Sequence, residues 1–171
     1  MANAEVEFNV WLPPGYEGGT ARYPVLYFLP GHGGNEYDGT GAVLPRVRAA
    51  LKKGLLPPVI CVFCNPGNGP FWASRVPGVL GETMFTTEFV PAIDREFRTL
   101  ASRNGRAVIG FSMGGGGALR FVLGHPRMFA AGVSWGCPFP PAIRSFTIQA
   151  ADCRLLRNTQ LNHAYENAPS Q

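Results

Sequence analysis

The feature that most constrains this chain is Gly110-Phe-Ser112-Met-Gly114. It is set between a short β-branched run (Val108, Ile109) and an apolar, helix-like run that starts at Ala118. Gly-x-Ser-x-Gly at a strand-to-helix junction is the spacing of a nucleophile elbow, a turn tight enough to expose one serine. The strained backbone at the serine is tolerated only if the residues two before and two after it carry no Cβ to collide with the turn. Glycine is common here, 22 of 171 residues, so the spacing alone is weak, and the plain alternative is a glycine-rich turn with an inert serine. The placement between strand and helix is what makes Ser112 a candidate nucleophile.

The flanking sequence predicts an α/β fold. Val6–Trp11 alternates apolar and polar residues, as a half-buried or edge strand does, and 13–20 is turn chemistry. Tyr23–Leu29 and Pro58–Cys64 are continuously apolar, the pattern of central parallel strands covered on both faces. The first runs into Pro30-Gly31-His32-Gly33-Gly34-Asn35 and the second into a loop over 65–70. A short helix is expected over 43–53. A longer one is expected over 86–100, with Phe89, Val90, Ile93 and Phe97 on one side and Pro91 acceptable only near a first turn. The helix after the elbow should close at Gly124-His125-Pro126, before a last strand over 129–135. Strands alternating with helices imply a parallel sheet with right-handed crossovers, and neither an internal repeat nor a linker interrupts it.

Composition narrows the function. A chain that is 46% hydrophobic and 15% charged reads as one soluble globular domain. The net charge of +4 comes mostly from arginines scattered singly, so a nucleic-acid partner is not expected. No apolar run approaches the roughly 20 residues of a membrane span. The start, Met-Ala-Asn-Ala-Glu, shows no signal peptide, which places the protein in the cytoplasm if that N-terminus is authentic. Cys61 and Cys64 have redox-motif spacing, but three residues apart on a strand they point to opposite faces and read as buried, apolar-like thiols. Cys137 and Cys153 complete no disulfide or zinc framework. His32, His125 and His163 stand too far apart in sequence for a ligand set, so no metal and no cofactor is expected.

In a parallel α/β sheet, ligands bind beyond the carboxyl ends of the strands. The 30–35 loop, the 65–70 loop and Ser112 therefore share one edge. Ser112 would attack an ester carbonyl, and two backbone N–H groups would hold the oxyanion. One is that of Met113 at the helix N-terminus; the other comes from the glycine-rich loop, best placed at His32. An ordinary glycine turn is the alternative for that loop. The His32 side chain is not the expected base, because the base follows the nucleophile in chain order. Phe71-Trp72 is a candidate lining for a sugar or aryl-acid cleft, with core or loop packing the alternative.

These residues carry a family resemblance. Trp11–Tyr16, Tyr23–Asn35, Thr87–Arg98, Arg106–Pro126 with Ser-Met-Gly-Gly at 112–115, and Phe129–Ser134 together resemble the esterase D-like α/β-hydrolases. That family includes feruloyl and acetylxylan esterases, S-formylglutathione hydrolases and mycolyltransferases. The resemblance covers roughly residues 6–137. It implies a three-layer α/β-hydrolase fold with a mostly parallel central sheet, and a serine esterase acting on a small-molecule or carbohydrate-linked ester. One departure is Pro30-Gly31 where the family carries His-Gly, which removes a side chain able to brace the oxyanion loop.

The larger departure follows the serine. The family's acid and histidine sit on loops after later strands. Asp152 and His163 are in the right order, but they stand only eleven positions apart, and a crossover between successive parallel strands takes a dozen or more residues. A Ser112–Asp152–His163 triad is therefore not expected, and His125 reads as a helix-end residue favourable to the dipole. The expectation is a hydrolase core over 1–137, an irregular or lid-like segment over 138–171, and a sheet lacking its last strands. The resulting product is weakly active or inactive and prone to self-association through an exposed sheet edge. The alternative is a non-catalytic hydrolase-fold protein that binds a ligand at the same cleft.

Overall fold

Five strands form at the apolar runs that predict them. The computed structural model of the chain describes residues 6–67 and 81–136. It contains β1 (Phe8–Trp11), β2 (Val25–Leu29), β3 (Ile60–Cys64), β4 (Arg106–Phe111) and β5 (Ala131–Trp135). They make one sheet in the order β1-β3-β2-β4-β5. β2 to β5 run parallel, and β1 pairs antiparallel with β3, Phe8 opposite Cys64 and Trp11 opposite Cys61. Burial follows position in the sheet. Every residue of β3 is buried and so is all of β2 except Leu26, whereas edge strand β1 is partly open to solvent.

The helices depart from expectation at their ends, and prolines explain two of the departures. The helical region after β2 starts earlier than residue 43, as α1 (Asp38–Ala42) and α2 (Leu44–Lys52). Pro45 in the first turn of α2 has no N–H to give and crowds the carbonyl four residues back, so one continuous helix is barred and the break falls at Val43. After β3, α3 (Glu82–Met84) passes through a π-helical turn, Phe85–Phe89, into α4 (Val90–Glu96). The wider turn makes room for Pro91 inside what is otherwise continuous helix. The expected extension to residue 100 is wrong. Phe97 is extended (φ −118°, ψ 155°), and Leu100 donates its N–H to Tyr23 while Tyr23 donates to Arg98. Asp94 then accepts from Thr99 Oγ1 at 2.6 Å and from Arg106 at 2.5 Å, tying the end of α4 to the start of β4. Last comes α5 (Met113–Gly124), which closes at His125 as expected.

The central strands β2 and β3 are covered on both faces. Tyr27, Leu29, Ile60, Val62, Cys64 and Val108 meet Phe85, Phe89, Ile93, Phe121 and Phe129 from the α3–α5 side. Phe85 and Phe121 stack at 4.6 Å. On the other face Phe28, Cys61 and Phe63 meet Val43 and Val47. Cys61 and Cys64 are thus free, buried and on opposite faces, as their spacing requires. Because α1 and α2 cover one face and α5 the other, the connections leaving β2 and β4 diverge. The strand order reverses between these two neighbouring strands, and open α/β sheets bind ligands beyond the carboxyl ends at such a point. The described residues all fall within one unit, Met1–Pro138; residues 138–171, expected as an irregular segment, lie outside them. Among the described residues no helix is long and apolar enough to cross a membrane, and no group of three or more His, Cys, Asp or Glu could hold a metal ion.

Candidate active site

Ser112 stands alone between β4 and α5 with φ 50° and ψ −116°. Among the described residues it is the single non-glycine position with positive φ. Such a conformation costs about 1–3 kcal/mol and persists only where the surroundings over-determine it. Here they do. Its N–H donates to the Trp135 carbonyl at 2.7 Å, and its carbonyl accepts from Gly116 at 3.2 Å. The two flanking glycines turn out to have different jobs. A Cβ on Gly110 would lie 2.0 Å from the Gly114 carbonyl oxygen, so this glycine clears the turn itself. A Cβ on Gly114 would lie 2.1 Å from the Leu29 oxygen and 2.4 Å from that of Pro30, so the second glycine lets α5 dock on the end of β2.

That docking brings the glycine-rich loop to the serine. A Cβ built on Gly31 would sit 3.5 Å from Ser112 Cβ, which puts the loop in van der Waals reach of the elbow. Gly34 donates to the Gly31 carbonyl at 3.1 Å, closing a turn with His32 and Gly33 at its corner. Gly33 has φ +72°, the value a type II turn requires at its third residue. His32 is exposed. No hydrogen bond to another described residue engages the backbone N–H of His32 or of Met113, and Met113 opens α5, where the helix presents partial positive charge.

The loop is braced without the missing family histidine. Asn35 Oδ1 accepts from the Tyr37 N–H at 2.9 Å. The next residue, Glu36, is buried, and its carboxylate accepts from Asn65 Nδ2 at 2.7 Å. Asn65 sits just past β3, also donates to Glu7 at 3.2 Å, and accepts the Gly67 N–H at 2.9 Å. Asn9 of β1 donates to the Glu36 carbonyl at 3.3 Å. The end of the 30–35 loop and the start of the 65–70 loop are therefore joined through Glu36 and Asn65. Sequence reading missed both, because the partners lie 29 positions apart and neither belongs to a motif.

His125 is not brought to Ser112. It caps the far end of α5, twelve residues or about 18 Å of helix away. Its Nε2 lies 2.9 Å from Glu82 Oε1, and Arg120 donates to the other carboxylate oxygen at 2.6 Å. Burial opposes ionisation of Glu82, but the hydrogen bonds from Arg120 and His125 outweigh it and hold its carboxyl below the ordinary 4.5. Asp152, His163, Phe71 and Trp72 lie outside the described residues. Two aromatic residues that no motif singled out do flank the serine. Phe111 and Trp135 lie opposite one another at the ends of β4 and β5, half-exposed, with ring centroids 5.2 Å apart. The signal for Phe111 was its place as the variable residue before Ser112.

Known proteins match this arrangement. The Esterase family model matches residues 1–141. Esterase Rv1288 of Mycobacterium tuberculosis is 36% identical over 134 residues, 76% of this chain and 28% of the relative. The endo-1,4-beta-xylanase/feruloyl esterase of Xylanibacter ruminicola is 32% identical over 140 residues, 75% of this chain and 18% of the relative. A solved ferulic acid esterase is 33% identical with a TM-score of 0.66, covering 73% of this chain and 50% of that one. The chain thus spans under a third of these curated relatives and half of the solved structure. With the family model matched over residues 1–141, through β5, and the fold shared with a solved ferulic acid esterase, the chain belongs to the Esterase family and has an α/β-hydrolase fold.

Proposed function

We propose that this chain carries the nucleophile of a serine carboxylic-ester hydrolase. Ser112 Oγ attacks the ester carbonyl, the alcohol leaves with the serine's proton, and water then cleaves the acyl-Ser112 intermediate to the acid. One observation carries the reading: Ser112 has the positive φ of an elbow, at the carboxyl end of β4 beside β2. The N–H groups of Met113 and His32 are the proposed oxyanion donors, each worth about 10²–10³ in rate for a group of this kind. Family membership supports ester hydrolysis. The relatives named as feruloyl esterases support a small-molecule or carbohydrate-linked ester as substrate. The chemistry requires neither metal nor cofactor.

The general base is not His125, which Glu82 holds at the opposite end of α5. The base lies outside the described residues, as Asp152 and His163 do. Without a base, an oxyanion hole and binding leave a residual acceleration of roughly 10³-fold over water. Hydrolysis of p-nitrophenyl acetate tests the reading. The expected result is slow turnover that Ser112→Ala abolishes, and turnover unchanged by Ser112→Ala rejects it. Loss of activity in His163→Ala would show that the short Asp152–His163 spacing does close a triad. A second reading, a ligand-binding protein without turnover, draws on one observation: no described residue hydrogen-bonds to Ser112 Oγ. Tight ester binding without hydrolysis would favour it.

A further inference from the structure

An oxyanion hole helps only when both donors stand about 3 Å from the oxygen they serve, so their spacing must be fixed before substrate arrives. The Met113 N–H is fixed by α5. The His32 N–H rides among Gly31, Gly33 and Gly34, residues that lose the most freedom when the backbone is held. The far end of this loop is tied down through Glu36 and Asn65. Its near end, where His32 sits, meets the elbow at Phe111 and Ser112. A Cβ built on Gly31 would lie 3.2 Å from Phe111 Cδ1 and 3.6 Å from Cε1, against 3.5 Å to Ser112 Cβ. The ring is itself backed. A Cβ on Gly136 would meet Cε2, on the opposite ring edge, at 2.9 Å, and Trp135 closes on the ring edge-to-face with centroids 5.2 Å apart. Phe111 is 43% exposed and belongs to neither core cluster, so packing of the interior does not account for it.

We propose that Phe111 is a positioning residue: its ring is the spacer that holds the Gly31–Gly34 loop at a fixed distance from Ser112 and so sets the His32 N–H where the oxyanion develops. The proposal rests on the reading of Ser112 as nucleophile. The coupling is direct, because Phe111 precedes Ser112 in the chain and the Trp135 carbonyl, beside the ring, holds the Ser112 N–H at 2.7 Å. Ring, nucleophile and loop therefore move as one piece. Without the ring the glycine loop can sink toward β4, and a displacement of about 1 Å is enough to cost roughly 10² in rate. Tyrosine supplies the same rigid plate, whereas alanine leaves the space between Gly31 and Gly136 unfilled.

Steady-state hydrolysis of p-nitrophenyl acetate and amide exchange followed by NMR, both on the whole chain, test this together. In Phe111→Ala, kcat should fall about 10- to 100-fold with KM unchanged, since a misplaced oxyanion donor weakens the transition state and not the bound ester. The Gly34 amide, which closes the turn onto Gly31, should exchange at least about tenfold faster, while the Gly116 amide on Ser112 keeps its rate. Phe111→Tyr should restore both readouts, and Val133→Ala, an exposed change on β5, should alter neither. Gly31→Ala covers a Phe111→Ala chain that does not fold. With the ring backed by Gly136, the new methyl should displace the loop and lower kcat at least about tenfold at unchanged KM. Full kcat in either variant, a rise in KM alone, or a loss that Phe111→Tyr does not restore overturns the proposal. Turnover that is absent, or that survives Ser112→Ala, would sink the nucleophile reading instead, and exchange at Gly34 in Phe111→Ala would then decide the spacer by itself.

Discussion

Replacing Gly114 by alanine should destabilise the protein, against the direction that helix propensity alone dictates. Within a helix, Gly→Ala gains up to about 1 kcal/mol. Here the new Cβ would lie 2.1 Å from the Leu29 carbonyl oxygen and 2.4 Å from the Pro30 oxygen. Carbon and carbonyl oxygen meet at roughly 3.3 Å, so the start of α5 would have to back away from β2 by about 1 Å. Both neighbours are backbone of a buried strand end and cannot rotate aside, which places the cost near the top of the range of about 1–3 kcal/mol for overpacking. The net expectation is a loss of about 2 kcal/mol. With a urea slope of about 2 kcal/mol per molar, the unfolding midpoint falls by about 1 M. Gly41→Ala is the matched control, since nothing lies within 4 Å of a Cβ in α1; its midpoint should hold or rise. A Gly114→Ala midpoint equal to or above that of the parent chain would refute the docking of α5 on β2 described above.

Three further outcomes follow from the same geometry. Glu82→Gln should cost about 0.5–1 kcal/mol at neutral pH. Because the folded carboxyl titrates below 4.5, its contribution is complete above the ordinary carboxylate range and fades as pH falls through the folded value, so the two urea midpoints should converge in acid; a gap that persists there contradicts the ion pairing. Asn65→Ala removes the donor from the buried Glu36 carboxylate and should cost about 1–3 kcal/mol, read from the same unfolding curves. An unchanged midpoint would mean that Asn65 does not brace the loop. Burial pushes the Cys61 thiol up to about 12 and that of Cys64 well above its ordinary value. Peptide mapping after brief iodoacetamide treatment should therefore find both unmodified in the native chain and modified in urea.

Much of this architecture was legible because it is local. Continuous apolar runs marked β2 and β3, and the Cys61–Cys64 spacing gave the two faces of β3 before any contact was known. The elbow was legible for a steric reason: few residues but glycine fit at positions 110 and 114. What local patterns could not carry was anything decided by a distant partner. Phe97 keeps the helical spacing of Phe89, Val90 and Ile93, yet pairing of residues 98–100 with Tyr23 pulls it out of the helix. The antiparallel choice of β1, the Glu36–Asn65 brace and the meeting of Phe111 with Trp135 are likewise set by sheet order. The strain at Ser112 follows from its motif; the contact of Phe111 with Trp135 needed the register of β4 against β5.

The central claim is that Ser112 is a nucleophile poised by its elbow. Intact-mass and peptide analysis after treatment with a fluorophosphonate tests it most directly, because the reagent reports on the serine itself and needs no particular ester. The expected result is slow labelling that goes to one adduct per chain, on the peptide bearing Ser112, and none in Ser112→Ala. A folded chain that takes no adduct, or one labelled equally well after Ser112→Ala, would contradict it.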